Sequence, residues 1–265
     1  MVNRLQMNVV DGGARYGLHP TWQPLKDLAN FHLFDIDGDE CNRLQKKYSG
    51  NKNIKIYNMG LYSEQATKVS RQCSHKAITT LCEVDNSQMK QINHVVDESQ
   101  VETEGTIHVD TLDNIFQDKD VDFIKLDVEG TELDVLKGAK NQLEQSVLGV
   151  RCEVLFKPLY KRNVSFGEIN AFLEKLGFEL VNLDYDGKGK PMSAFTTSDR
   201  YGYLMVSDAV WIKRWDILAK QHLNEEFLGR ILLLSIFLFL NNAEDIAMNC
   251  LLRLCDEYDG GGATN

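Results

Sequence analysis

Through the first 215 residues, short apolar runs alternate with helix-patterned segments, and several of the runs end in acid. That alternation constrains the fold more than any other feature. Strands separated by helices cannot pair as simple hairpins, so they build a mostly parallel sheet covered by helices. "QMNVVD", "HLFDID", "IKIYNMGLY", "VDFIKLD", "VLGVRCEVLF", "FELVNLDYD" and "DAVWIKR" read as the strands. "TWQPLKDLANF", "DECNRLQKKYS" and "SFGEINAFLEKLGF" read as helices, the last with Ser165 as N-cap, Glu168 three residues on and Gly177 at its end. A further helix is expected over residues 131–143, where Leu133, Leu136, Ala139 and Leu143 share a face.

Two segments depart from this rhythm. Residues 63–105 are polar and lack a clean period, as expected of a lid, a binding loop or a disordered insert. After Trp215 the pattern turns helical to about residue 258, with Asn241 and Asn242 as a turn between two helices. The apolar run "ILLLSIFLFL" is shorter than the roughly 18 to 20 residues that span a bilayer, so a buried helix is expected. Its spacing suits a partner helix, a self-dimer or a cover for the sheet. The chain is therefore divided into an α/β domain at 1–215, with its insert at about 63–105, and a C-terminal helical hairpin at 216–265.

A formal charge of -10 disfavours extended nucleic-acid binding and polybasic attachment to membranes. The six cysteines form no CxxC and no zinc-like spacing, and "MVNRLQMNVVDGG" is too short and polar for a signal peptide. Free thiols in the cytoplasm are expected.

In an open α/β sheet, ligands bind beyond the carboxyl ends of the strands, and acids gather at that edge here. "VVDGGARYG" ends a strand at Asp11 and enters a glycine turn, where the backbone can approach a ligand. A loosened dinucleotide motif fits the glycines, but the leading Asp11 suits amine or hydroxyl groups better than a pyrophosphate. "FDID" brings Asp35 about twenty residues later, suited to a ribose, with Asp39 as a cap for the next helix. "KLDVEGTE" delivers Asp127 and Glu129, two apart, then Gly130 and the helix charge Glu132. Glu153 is a fourth acid, inside its strand. Three carboxylates at one edge could hold Mg²⁺ or Mn²⁺, although no spacing demands it and no metal is expected.

"DGGARYG", "FDID", "IHVDTLDNIF" and above all "VDFIKLDVEGTELDVLKGA" resemble the FkbM family of S-adenosylmethionine-dependent methyltransferases, over roughly residues 8–213. The resemblance implies a Rossmann-like class I methyltransferase sheet of seven strands, the last antiparallel. It implies that Asp11, Gly13, Ala14 and Gly17 hold the methionine half of S-adenosyl-L-methionine. Asp35 matches the ribose-binding acid, with Ile36 where the family tends to have proline. Asn58, Met59 and Gly60 match the turn beside the adenine, and Asp127 the acid near the cofactor or acceptor. Known members mostly methylate hydroxyl oxygens on sugars or natural products, so a small-molecule or glycan acceptor is expected.

A hydroxyl is a weak nucleophile, so a general base is expected among Asp127, Glu129, Glu153 and His108, with the first two favoured. His108 on a strand and His75 in the insert read more simply as structural and solvated. Glu129 also reads as a helix N-terminal charge. Phe156, Tyr160, Phe195, Tyr201 and Tyr203 are candidates to stack on a sugar. Two alternatives stay open at this level: a methyltransferase-like module that binds without catalysis, and a nicotinamide-dependent oxidoreductase.

Overall fold

The computed structural model describes residues 7–90, 99–162, 164–189, 202–220 and 225–260. Its main sheet takes β1 (Asn8–Gly12), β2 (Asn30–Asp35), β3 (Ile54–Asn58), β8 (Phe123–Leu126), β9 (Gly149–Leu155), β10 (Phe178–Gly189) and β11 (Tyr203–Lys213). The spatial order is β3-β2-β1-β8-β9-β11-β10. All pairings are parallel except those of β11, which runs antiparallel to β9 and β10. The order reverses between β1 and β8, which opens a crevice at their carboxyl ends.

The two faces are packed differently. One carries Val10, Phe34, Ile124, Leu126 and Val150 against Leu133, Leu136, Leu143, Ile169 and Leu173. The expected helix there breaks at Ala139 into Glu132–Gly138 and Lys140–Gln145. Ser165 caps the helix Phe166–Lys175 as expected: Glu168 N–H donates to its hydroxyl, and its own N–H donates to the Glu168 carboxylate (2.9 Å).

The other face carries Val9, Phe31, Leu33 and Phe123. The helix expected over "TWQPLKDLANF" is instead the short 3-10 helix Pro20–Leu25, because Pro20 and Pro24 each withhold an N–H. Within this 3-10 helix only Trp22 is buried, and Leu18 and Ala29 on either side of it join the same core. The remaining cover comes from the C-terminal helix Glu225–Leu240, whose Phe227, Ile231, Leu234 and Phe237 join this core. Phe237 stacks on Phe123 with ring centroids 4.6 Å apart and meets Trp22 at 5.9 Å. Gly149 makes room for it, since a Cβ there would lie 2.5 Å from Phe237 Cε1. The second helix, Glu244–Gly260, packs back on the first. Among the described residues no helix is long and apolar enough to cross a membrane.

The described residues of the 63–105 segment are more ordered than their composition implies. "IKIYNMGLY" splits after β3, and β4 (Gly60–Leu61) joins a second sheet with β5 (Ala66–Cys73), β6 (Thr79–Thr80) and β7 (Val101–Asp110). β5 pairs antiparallel with β7 from Ala66↔Val109 to Cys73↔Val101. Most of β7 is exposed, so its side chains show no apolar alternation.

Candidate active site

Along the Val9–Phe123 face the apolar register gives way to charge near the carboxyl ends. Asp11 sits opposite Lys125, and Lys125 opposite Arg151. Register partners share a face, so the three side chains form one row. Asp11 is fully buried, with its carboxylate 3.3 Å from Lys125 Nζ. Burial pushes its carboxyl up to about 6 against the opposing pull of Lys125. Lys125 also lies 3.6 Å from Asp127 Oδ2.

The crevice holds a cavity of about 470 Å³, within the usual range for a small-molecule site. Asp11, Gly13, Gly17, Asp35, Ile36, Met59, Gly60, Asp127 and Glu129 all line it. Gly13, at φ 74, lets the two loops touch: a Cβ would lie 1.7 Å from the Asp127 carbonyl oxygen. Asp35 accepts the Asp37 N–H on Oδ1 (2.8 Å), and burial pushes its carboxyl to about 6. Asp37, not the expected Asp39, caps the helix Gly38–Lys47 by accepting the N–H groups of Asp39 and Glu40.

Three proposed positions lie off the cavity wall. Ala14 is buried beside the turn. Asn58 donates its amide to the Asp35 carbonyl (3.2 Å), so it braces the loop that follows β2. Glu153 stays within β9 opposite Asp208, where burial and the neighbouring acids, led by Asp127 and Glu129, raise its carboxyl well above the usual range. His108 is exposed on β7 opposite Thr67, and His75 is exposed between β5 and β6.

"KLDVEGTE" gives each acid a separate position. The strand ends at Leu126, so the expected two-residue alternation does not carry Asp127 and Glu129 to one side; a turn does. Glu129 takes φ 58 and Gly130 φ 102. Glu132 is only 3% exposed and turns back to accept the Val128 and Gly130 N–H groups, both at 3.1 Å. Glu132 is the first-turn helix charge expected of it, and burial raises its carboxyl to about 7. Glu129 accepts the Tyr160 hydroxyl on Oε2 (2.7 Å), and burial together with Asp127 raises its carboxyl to about 8.

Arg15 and His19 are among the wall residues that no sequence motif marks. Arg15 bridges Asp37 (2.9 Å) and Thr79 (3.3 Å), tying the glycine turn to the insert. His19 accepts the Thr21 N–H, and burial with the nearby Lys125 and Arg151 charges lowers it to about 4, so it is neutral. Neither stands in a spacing that marks it. Of the aromatic candidates, Phe156 packs on Phe166, and Tyr203 is exposed beneath Lys157. Phe195 and Tyr201 lie outside the described residues. No group of three or more His, Cys, Asp or Glu among the described residues is arranged to hold a metal.

Asp11 and Asp35 are acceptors of the kind an amine and a ribose need, and Ile36, Met59 and Leu61 offer an apolar wall to a base. These are the three parts of S-adenosylmethionine. The Methyltransferase FkbM domain matches residues 24–180, more than half of the chain. No curated protein matches it. Similar solved structures include methyltransferase FkbM from Methylobacillus flagellatus, 17% identical with a TM-score of 0.47. That likeness covers 78% of this chain and 44% of the other, so this chain spans less than half its length. An rRNA methylase from Streptococcus thermophilus is 12% identical with a TM-score of 0.39, over 80% of this chain and 89% of that one. Magnesium protoporphyrin IX methyltransferase from Synechocystis, solved with bound S-adenosylmethionine, is 11% identical with a TM-score of 0.39, over 78% and 70%. The domain match sets aside the nicotinamide-dependent oxidoreductase: this chain belongs to the FkbM methyltransferases, and its cofactor is S-adenosyl-L-methionine.

Proposed function

We propose that this enzyme methylates a hydroxyl oxygen of a sugar, glycan or related natural product, with Glu129 accepting the proton. The observation that carries this reading is the meeting of two kinds of acid at one cavity. Asp11 and Asp35 suit the cofactor's amine and ribose, while Asp127 and Glu129 form the wall beyond them. The cofactor supplies an activated methyl group on a cationic sulfur. What the chain must add is alignment of the acceptor and a place for its proton.

Glu129 suits the second task better than Asp127. Burial raises its proton affinity to about 8, close to working pH, where a carboxylate is most effective as a base. Asp127 lies against the Lys125 ammonium and is 41% exposed, which favours a role in holding cofactor or acceptor. Six free thiols suit a cytoplasmic setting. A homodimer through the C-terminal helices would use Phe239, Met248 and Leu252, which remain exposed.

The test joins binding and transfer. Calorimetric titration of the folded protein with S-adenosylmethionine is expected to show binding, and its absence would sink the reading. Incubation with labelled cofactor and a panel of glycans and hydroxylated natural products is expected to label a hydroxyl oxygen. Labelling confined to nitrogen or carboxylate acceptors would overturn the oxygen assignment. Binding without transfer across the panel would favour a module that binds the cofactor and does not turn it over.

A further inference from the structure

Glu129 is a non-glycine residue in the left-handed region, which persists only where surroundings fix it. Its anchors come from segments far away in sequence. Thr80, buried in the second sheet, donates its hydroxyl to the Glu129 carbonyl (2.6 Å) and accepts the Cys82 N–H (2.9 Å). Tyr160, 3% exposed, donates to Glu129 Oε2, and its ring fills the space beside Gly130.

Those two anchors are stitched to each other. Val84 and Tyr160 form an antiparallel bridge. Asp85 N–H donates to the Leu159 carbonyl (3.0 Å), and Lys161 N–H to the Glu83 carbonyl (2.8 Å). The Lys161 ammonium also pairs with the Glu83 carboxylate at 2.6 Å. Beneath them Cys73, Cys82, Val84, Leu155 and Tyr160 make a small apolar core, separate from the two that cover the main sheet. The insert is thus docked on the loop after β9, and Glu129 lies at the junction.

We propose that the insert is a clamp on Glu129, with Thr80 and Tyr160 as positioning residues that fix its backbone turn and its carboxylate. The inference rests on the reading of Glu129 as proton acceptor and names what makes it one. Thr80 holds the turn that keeps the carboxylate out of water. Tyr160 occupies Oε2, so Oε1 is the oxygen left for an acceptor's proton. The charged and titratable groups around Glu129 are Asp127, Glu132 and Lys125 from its own segment, Glu153 from β9, Tyr160 from the following loop and Cys73 from β5. Against so many acids, the Tyr160 hydroxyl stabilises the ionised form.

The test is carbon NMR of the whole chain carrying labelled glutamate carboxyls, with Glu129 identified by its loss in Glu129→Gln. Tyr160→Phe removes a hydrogen bond to a charge and is expected to raise the Glu129 midpoint by about one pH unit or more. Thr80→Val is expected to release the turn and lower the midpoint by about one unit as the carboxylate gains water. Thr80→Ser keeps the hydroxyl and restores the original value. An unmoved midpoint in folded Tyr160→Phe overturns the clamp. Should that variant fail to fold, a Thr80→Val titration identical to the original overturns it instead. Failure of the base reading looks different: Glu129→Gln would then transfer methyl groups at the original rate, wherever the midpoint lies.

Discussion

Raising the pH is expected to favour binding of S-adenosylmethionine over its demethylated product, S-adenosylhomocysteine. Burial lifts Asp11 and Asp35 to about 6, Glu132 to about 7 and Glu129 to about 8. Each acid holds its proton more tightly folded than unfolded. Their stabilising effect on the empty fold is therefore complete below about pH 4 and is lost as pH rises through 6 to 8. For fully buried Asp11, about two pH units correspond to roughly 3 kcal/mol. A cation in the cavity offsets that cost. A unit charge about 6 Å from a carboxylate, at an effective dielectric of about 20, gains roughly 3 kcal/mol. Both ligands carry the ammonium, but only the cofactor carries the sulfonium, so their comparison isolates that charge. Between about pH 5.5 and 8.5 the ratio of their affinities should rise by roughly tenfold to a hundredfold. Paired calorimetric titrations at fixed ionic strength measure it. A ratio that stays flat over this range refutes the placing of ionised Glu129 beside the transferred methyl group.

Further perturbations separate the roles of the other residues. Asp35→Ala should weaken cofactor binding about tenfold or more, through lost charged hydrogen bonds, while the thermal melt remains a single transition. Glu129→Gln should lower turnover by roughly a hundredfold with little change in cofactor affinity; a variant that unfolds would show the residue to be structural. Phe237→Ala should cost about 3–5 kcal/mol in chemical denaturation, because it empties the centre of the core on the Phe123 face. Gly149→Ala should cost about 1–3 kcal/mol in the same assay, since its methyl group meets that ring.

The main sheet was legible because each strand is a compact apolar run and its acids fall at the ends. The Ser165 cap was legible for a similar reason: its partner stands three residues away. What escaped reading depends on distant partners or on weak local pattern. β5 and β7 expose too much surface to show a period of two, so an ordered sheet reads as a polar insert. Thr80 and Tyr160 reach Glu129 across 49 and 31 residues, and no local spacing announces either. Glu132 reads as an ordinary first-turn charge, yet its side chain holds the loop behind it. Glu153 shares a face with Arg151 and neighbours Asp127 and Glu129, yet it lies behind them, off the cavity wall. Pro20 and Pro24 each withhold an N–H, and that outweighs the apolar spacing of the first crossover.

The short crossover also bears on how the chain matures. Val9, Phe31 and Phe123 emerge early during synthesis, but their cover, Phe227 to Phe237, emerges late. Until that helix is made, the nascent sheet presents an apolar face that its first connection covers only in part. Domains made N-terminus first are prone to aggregate while such surface is open. Packing of the Glu225–Leu240 helix, rather than formation of the strands alone, is then what closes this face to water.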